Sequence, residues 1–193
     1  MLRQSFLLAW MTGSAFGAGF GVLLWVGLGS LFEALGLEQA SPILPFLVGA
    51  AFGAPFGIGQ WLALRQRLAH AAMWILATSL GFALVFPLGT LLPQGAVQLP
   101  GAQQLALGLG LGAAVALPPS ILQWLLVLRG QVTNAGWWVM ASVLAWAIAF
   151  AISFGLGLAF GGLTFIAGPL TAFALTGTAM LRLMKRTRPG GAA

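Results

Sequence analysis

The sequence predicts an all-α integral membrane protein with six transmembrane helices, and two observations support that prediction. Hydrophobic residues make up 60% of the 193-residue chain and charged residues only 5%, whereas soluble domains carry roughly 25% charged residues. The apolar residues also form long runs separated by short connectors. Each run is at least as long as the roughly 20 residues that a helix needs to cross the hydrocarbon of a bilayer. The chain is therefore predicted to form a single transmembrane domain over residues 1–193.

The first apolar run follows a basic start and continues to Phe32. It is too long for the core of a cleaved signal peptide, so it is interpreted as a retained first helix. Five further runs follow, separated by short connectors that contain Gly, Pro or polar residues. The six predicted spans are residues 5–31, 42–65, 71–92, 103–128, 135–158 and 161–183, followed by a basic C-terminal tail over 184–193.

The charged residues predict how the helices are oriented in the membrane. All the basic residues fall at the N-terminus, after an even-numbered helix or in the tail: Arg3, Arg65, Arg67, Arg129, Arg182, Lys185, Arg186 and Arg188. Both acidic residues, Glu33 and Glu38, fall in the first connector, on the opposite side. Because cytoplasmic loops carry an excess of Lys and Arg, both termini are predicted to lie on the cytoplasmic side.

Tryptophan supports the same orientation. Six of the eight tryptophans fall near the basic side: Trp10, Trp61, Trp74, Trp124, Trp137 and Trp138. An indole at the membrane interface can bury its rings and hydrogen-bond to lipid headgroups. Trp61 with Arg65, and Trp124 with Arg129, are therefore predicted to anchor the ends of the second and fourth helices at that interface.

Parts of the chain are repeated. GAAFGAPFGIGQW at 49–61 aligns without gaps on GAAVALPPSILQW at 112–124, a spacing of 63 residues. MWILATSLGFA at 73–83 aligns on WWVMASVLAWA at 137–147 at a spacing of 64 residues, and the first helix joins at the same spacing. The last helix keeps a proline and a terminal Leu-Arg. We predict three two-helix repeats of one orientation, related by an axis along the membrane normal.

Proline and glycine positions also recur. The even-numbered helices each carry a proline near mid-span, at Pro55, Pro118 and Pro169. Proline removes an intrahelical hydrogen bond, so each is a predicted kink. Small residues return at every fourth position in several helices, as at Gly13 and Gly17. This spacing lets helix backbones approach closely and predicts a tightly packed bundle.

The pattern G-x-x-x-G-x-x-Q-W-L-x-L-R, followed by a short basic loop and W-x-x-A-[ST]-x-L-[GA], resembles a group of uncharacterised bacterial multi-pass membrane proteins found largely in cyanobacteria. Residues 49–84 and 112–148 carry the likeness. The resemblance implies a bundle built from repeated hairpins in a bacterial inner membrane, either cytoplasmic or photosynthetic. It implies no activity.

Side chains suited to catalysis are scarce. The chain has one His, two Glu and no Asp, Cys or Tyr. His70 is predicted on the basic side and both glutamates on the other, with hydrocarbon about 30 Å thick between them. Catalytic sites gather such groups in one place, so the chain is not expected to be an enzyme. The lack of cysteine excludes disulfides and thiolate metal sites.

Two functional hypotheses follow. The first is a non-enzymatic accessory or structural subunit of a larger membrane complex, photosynthetic or bioenergetic, whose partners are lipids and other membrane subunits rather than nucleic acid. The second is a small transporter of a neutral or anionic solute or a lipid, with its site between the three prolines. Cation coupling is not expected, because no predicted span contains a carboxylate or a histidine.

Chlorophyll and carotenoid are the cofactors considered. Chlorophyll magnesium accepts a histidine nitrogen or a glutamine oxygen, and His70, Gln60 and Gln123 are the candidate ligands near helix ends. The 8 Trp and 14 Phe supply aromatic surface for such molecules. Each candidate also has a simpler interpretation. Gln60 and Gln123 are suited to hydrogen bonds between helices, worth about 1 kcal/mol each, and His70 to a solvated loop.

Overall fold

The computed structural model describes residues 2–37, 41–89, 101–155 and 163–185, without the side chains of residues 2, 3 and 165. These segments contain six helices and no β-strand: α1 Leu2–Ala34, α2 Leu44–Leu64, α3 Met73–Gly89, α4 Gly101–Gln123, α5 Trp137–Gly155 and α6 Thr164–Met184. The side chain of Arg3, the residues Glu38, Arg186 and Arg188, and the tail beyond residue 185 lie outside the described residues, as do the predicted span ends beyond residue 89 and at 156–162.

Within the described residues, five helices are long and apolar enough to cross a membrane, and the sixth, Met73–Gly89, is apolar but shorter. The five are Gln4–Ala34, Leu44–Leu64, Gly101–Leu128, Trp137–Gly155 and Ile166–Met184. This agrees with the predicted all-α membrane class and identifies a multi-pass membrane protein.

The helices form a closed ring in which each packs against its neighbours in sequence and α6 packs against α1. One end of the ring, here called the basic end, holds the turns at 65–72 and 129–136 and the end of α6. The described basic side chains Arg65, Arg67, Arg129, Arg182 and Lys185 lie at this end. The opposite end, here called the distal end, holds Glu33.

Glycine sets the distance between several neighbouring helices. A Cβ atom added at Gly13 of α1 would collide with the backbone of Gly59 in α2, and one at Gly59 with the backbone of Gly13. Gly53 of α2 is similarly close to α3, and Gly112 of α4 to α5. These are backbone-to-backbone contacts, which in lipid supply the dispersion energy that holds helices together. The predicted close packing is therefore present.

The two turns of the basic end have the same backbone course. His70 and Asn134 occupy the left-handed region, with φ of 51° and 58°, a conformation that His and Asn adopt more readily than most residues. After each of them the chain enters α3 or α5 through a bond to its carbonyl oxygen, from Met73 N (2.9 Å) and from Trp137 N (3.0 Å). His70 is exposed and has a conformational role in this turn.

The end of α4 differs from the end of α2 in the spacing of its backbone hydrogen bonds. In α2 the N–H of Arg65 donates to the oxygen of Trp61, four residues earlier (2.8 Å). In α4 the N–H of Arg129 donates to the oxygen of Trp124, five residues earlier (2.8 Å), and Trp124–Leu128 forms a π-helical turn. A π-turn of this kind holds one residue more than an α-helical turn.

The structure corrects the predicted placement of three tryptophans. Trp10, Trp74 and Trp138 do not lie against lipid headgroups; they are 0%, 0% and 2% exposed and form the middle of the core at the basic end. Their indole rings contact one another, with centroids 5.4–6.1 Å apart. Each comes from a different odd-numbered helix, so the three indoles lie together at the centre of the ring of helices.

Candidate functional site

A belt of buried polar side chains lies next to the three central tryptophans. It consists of Ser14, Gln60, Thr78, Gln123, Ser142 and Thr176, and is here called the polar belt. Every member is buried. Burying such groups in a membrane interior is costly unless they form hydrogen bonds within the protein. Their hydrogen-bond partners therefore show how much of this cost the bundle avoids.

Gln60 of α2 links α1 to α3. Its Oε1 accepts a hydrogen bond from the indole N–H of Trp74 (2.8 Å), and its Nε2 donates to Ser14 Oγ (3.4 Å). One carboxamide thus bonds to a helix on each side of its own. Both ends of the amide are occupied by protein groups.

Gln123 of α4 makes the equivalent pair of bonds between α3 and α5. Its Oε1 accepts from the indole N–H of Trp138 (2.9 Å), and its Nε2 donates to Thr78 Oγ1 (2.9 Å). The hydroxyl of Thr78 in turn donates a hydrogen bond to the backbone oxygen of Trp74 (2.7 Å). The result is a chain of hydrogen bonds that runs without a break from α1 to α5.

The third junction, where α6 lies between α5 and α1, has a threonine in place of a glutamine. The indole N–H of Trp10 donates to Thr176 Oγ1 (3.2 Å), and Thr176 donates to the oxygen of Ala172 (2.7 Å). Ser142 of α5 is 3% exposed, and its Oγ has no hydrogen-bond partner among the described residues. The polar belt is therefore incomplete at this one junction.

A second feature, the distal pocket, lies between the polar belt and the distal end. It is a cavity of about 360 Å³ lined by α1 to α5, within the range of small-molecule sites. Seven of its lining residues are aromatic: Trp25, Phe52, Phe82, Phe86, Trp146, Phe150 and Phe154. The rest are Val85, Leu88, Gly89, Leu111, Ala114 and Val115. Its wall is almost entirely hydrocarbon.

Aromatic rings form the floor of the distal pocket. Phe56 contacts Phe82, Trp146 and Phe173, with ring centroids 5.7–6.1 Å apart. These rings separate the distal pocket from the polar belt and belong to a second core cluster. Toward the basic end the bundle is thus filled by aromatic rings, then by the polar belt and the central tryptophans.

The predicted interface residues lie at the surface of the basic end. Trp61 and Trp124 are half-buried, and Arg65 and Arg129 are exposed. The guanidinium carbon of Arg65 stands 5.7 Å from the centre of the Trp61 ring, and that of Arg67 4.8 Å from the ring of Phe6. Such cation–π contacts fix the direction of the arginines.

Pro55 and Pro118 occupy matching positions in their helices. Pro55 lies five residues before Gln60, and Pro118 lies five residues before Gln123 in a helix that continues to Leu128. Pro169 is in the second turn of α6, seven residues before Thr176. Of the three, none lines the distal pocket.

The pocket and the partners of the two glutamines were not predicted from the sequence. A signal for the partners was present: each odd-numbered helix carries a tryptophan followed four residues later by a hydroxyl, at Trp10–Ser14, Trp74–Thr78 and Trp138–Ser142. Residues four apart share a helix face. The pocket had no comparable signal, because its lining residues are of the same apolar types that face lipid.

Metal chemistry has no obvious site in this arrangement. Among the described residues, no group of three or more His, Cys, Asp or Glu side chains is placed to hold a metal ion.

No protein-family model, no curated protein and no solved structure matches the chain. The resemblance based on residues 49–84 and 112–148 stays a prediction from the sequence.

Proposed function

We propose that this protein is a non-enzymatic membrane protein that holds one apolar chain molecule, the acyl or isoprenoid chain of a membrane lipid, in its distal pocket. The observation that carries the proposal is the pocket itself: about 360 Å³ of space walled by aromatic and aliphatic side chains. Binding sites for apolar molecules are preformed concavities of this kind.

The route into the pocket supports a lipid as the occupant. Helices α3 and α4 touch at Gly81 and Pro119, on the basic-end side of the pocket. Toward the distal end, the lining residues Leu88, Gly89 and Ala114 are exposed. We infer from these exposed residues that the pocket opens sideways between α3 and α4, toward the hydrocarbon of the bilayer. A molecule that already resides in the membrane enters without crossing water.

The chemistry of the wall favours a simple chain over chlorophyll. Chlorophyll needs an axial ligand for its magnesium, and none of the described lining residues carries a carboxylate, an imidazole or a carboxamide. The amide oxygens of Gln60 and Gln123 already accept indole N–H bonds, and His70 lies in an exposed turn. An acyl, isoprenoid or carotenoid chain needs no ligand and fits the aromatic wall.

The closed basic end supports binding rather than transport. Below the pocket lie the aromatic floor, the polar belt and three mutually contacting indoles. A transported molecule would have to pass all three layers.

We also propose that the basic end faces the cytoplasm, by the positive-inside rule, and that the helices are three repeats of one orientation. The matching bonds of Gln60 and Gln123 support the repeat.

Native mass spectrometry of the purified protein tests the proposal by counting lipid molecules that survive detergent exchange. Ala114→Phe places a ring in the mouth of the pocket. Ala106→Phe is the matched control, because it makes the same change on an exposed site of the same helix outside the pocket. We expect one retained lipid in the wild type and in Ala106→Phe. In Ala114→Phe we expect an occupancy lower by at least about five-fold, which corresponds to about 1 kcal/mol of binding free energy.

Equal lipid retention in the two variants, with both eluting as single species from size exclusion, would contradict the proposal. A photoactivatable fatty acid gives a second readout. Its diazirine should label peptides of α5 that line the pocket, around Phe150, more in the control than in Ala114→Phe. Uniform labelling of the lipid-facing surface would point to bulk lipid instead.

A second candidate function, accessory subunit of a larger membrane complex, rests on α1. This helix is the longest, with 33 residues, and the least buried of the candidate spans. Phe16 is 81% exposed, and with Ala15, Gly19, Phe20 and Leu23 it lines a shallow hollow on the outer face. Small residues four apart, here Ala15 and Gly19, suit the approach of another transmembrane helix.

Purification from native membranes in a mild detergent tests this candidate. A stoichiometric partner that is retained by the wild type and lost from Gly19→Leu would support it. Gly27→Leu is the control, because Gly27 is also on α1 with open space around it but lies outside the hollow. A wild-type protein that purifies without any other subunit would exclude the candidate.

A further inference from the structure

A small cavity adjoins the polar belt where the third glutamine is missing. It measures about 20 Å³ and is lined by residues of α2, α3, α4, α5 and α6. Its polar lining residues are Gln60, Ser120, Gln123, Trp138, Ser142 and Thr176. A cavity must measure at least about 10–15 Å³ to hold one water molecule, so this cavity has room for a single water.

The unpaired hydroxyl of Ser142 faces this space. Its equivalents in the other odd-numbered helices both accept a glutamine N–H, Ser14 from Gln60 and Thr78 from Gln123. At Ser142 the neighbouring even-numbered helix offers Thr176, whose side chain is shorter than a glutamine by two heavy atoms. The missing carboxamide leaves both the cavity and the unpaired oxygen.

We propose that one ordered water molecule occupies this cavity and completes the polar belt in place of the third glutamine. A buried water typically makes about three hydrogen bonds. Ser142 Oγ donates its hydrogen bond to the water. Thr176 Oγ1 and Ser120 Oγ each already donate to a helix carbonyl, to Ala172 (2.7 Å) and Leu117 (3.0 Å), so each retains a lone pair that accepts from the water.

The lining chemistry favours water over an ion. Hydroxyls and carboxamides are neutral, and among the described residues the cavity wall contains no carboxylate, histidine, lysine or arginine. A buried ion without a counter-charge would be strongly unfavourable in this setting. A neutral water instead relieves the cost of leaving a buried hydroxyl unbonded. The water proposal is independent of any lipid in the distal pocket.

Substitution of Thr176 by Gln tests the proposal, because it supplies the carboxamide that the water replaces. In a structure of the wild type at a resolution that shows ordered water, we expect one density peak within hydrogen-bond distance of Ser142 Oγ. In Thr176→Gln we expect that peak to be absent, with Gln Nε2 bonded to Ser142 and Oε1 accepting from Trp10. Thr178→Gln, on the exposed face of α6, is the control and should keep the peak.

Ser142→Ala is the second variant, and it keeps the proposal testable if Thr176→Gln fails to fold. Loss of the hydroxyl should remove the peak or reduce its occupancy. The proposal is overturned if the wild type shows no peak while other buried waters are visible. It is equally overturned if Ser142 bonds directly to protein, or if the peak persists unchanged in Thr176→Gln.

Discussion

At the scale of single residues, the two buried glutamines explain how an apolar bundle obtains a defined order of helices. Apolar side chains pack against many partners with little discrimination, whereas a carboxamide needs a donor and an acceptor at fixed places. Gln60 and Gln123 each find one on either side of their own helix. A different order of helices would leave these groups unpaired in hydrocarbon, which costs more than the bonds themselves contribute.

Gln123→Met should therefore destabilise the protein by about 1–2 kcal/mol, within the range for unpaired buried groups and interhelical bonds. Methionine keeps the length of the side chain but leaves the N–H of Trp138 without its acceptor. Gln103→Met, at an exposed site of the same helix, is the control. Thermal unfolding in detergent measures the difference. Equal midpoints for the two variants would show that the bonds contribute nothing net.

At the scale of helices, the close approach of α1 and α2 at Gly13 and Gly59 is the tightest glycine contact in the described bundle. The obstacle at this point is backbone on both sides. A flexible side chain could rotate away, but a helix backbone yields only if the whole helix moves. The packing of this pair therefore depends on the absence of a single carbon atom.

Gly13→Ala should lower stability by about 1–3 kcal/mol through overpacking, whereas Gly19→Ala should leave it unchanged or raise it. Both changes bring the same helix-propensity gain of about 1 kcal/mol, and Gly19 has nothing within 4 Å of the added carbon. The difference between the two thermal midpoints therefore isolates the contact with α2. If Gly13→Ala were as stable as Gly19→Ala, α1 and α2 would be able to move apart to fit the methyl group without loss of stability.

At the scale of the whole molecule, the basic end and the distal end differ in charge, and that difference predicts the orientation in the membrane. The chain has no cysteine, so single cysteines report position without background. In intact bacterial cells, a membrane-impermeant maleimide should label Leu37→Cys at the distal end. Gln66→Cys at the basic end should be labelled only after permeabilisation. The opposite pattern would reverse the proposed topology.

The sequence predicted the helices well because each is set by its own composition and length. Gln60 and Gln123 could also be selected from the sequence, because a carboxamide is conspicuous among apolar residues. The distal pocket was not predicted, because Phe86 and Phe150 look like any lipid-facing phenylalanine until their helices are placed in three dimensions. Trp10 was assigned to the interface for a related reason. Its indole was expected to contact lipid headgroups, and only the fold shows that its N–H donates a hydrogen bond to Thr176.

The π-turn at Trp124–Leu128 has a consequence for how such a chain can change length. The segment from Gln60 to Arg65 is one residue shorter than its counterpart from Gln123 to Arg129, which accounts for the two spacings of 63 and 64 residues between aligned segments. The additional residue is absorbed as a bulge inside the helix, so Leu64 and Leu128 both remain 0% exposed and the turns that follow them keep one shape. An additional residue at this end of a helix can thus be accommodated while the buried layers on either side stay in register.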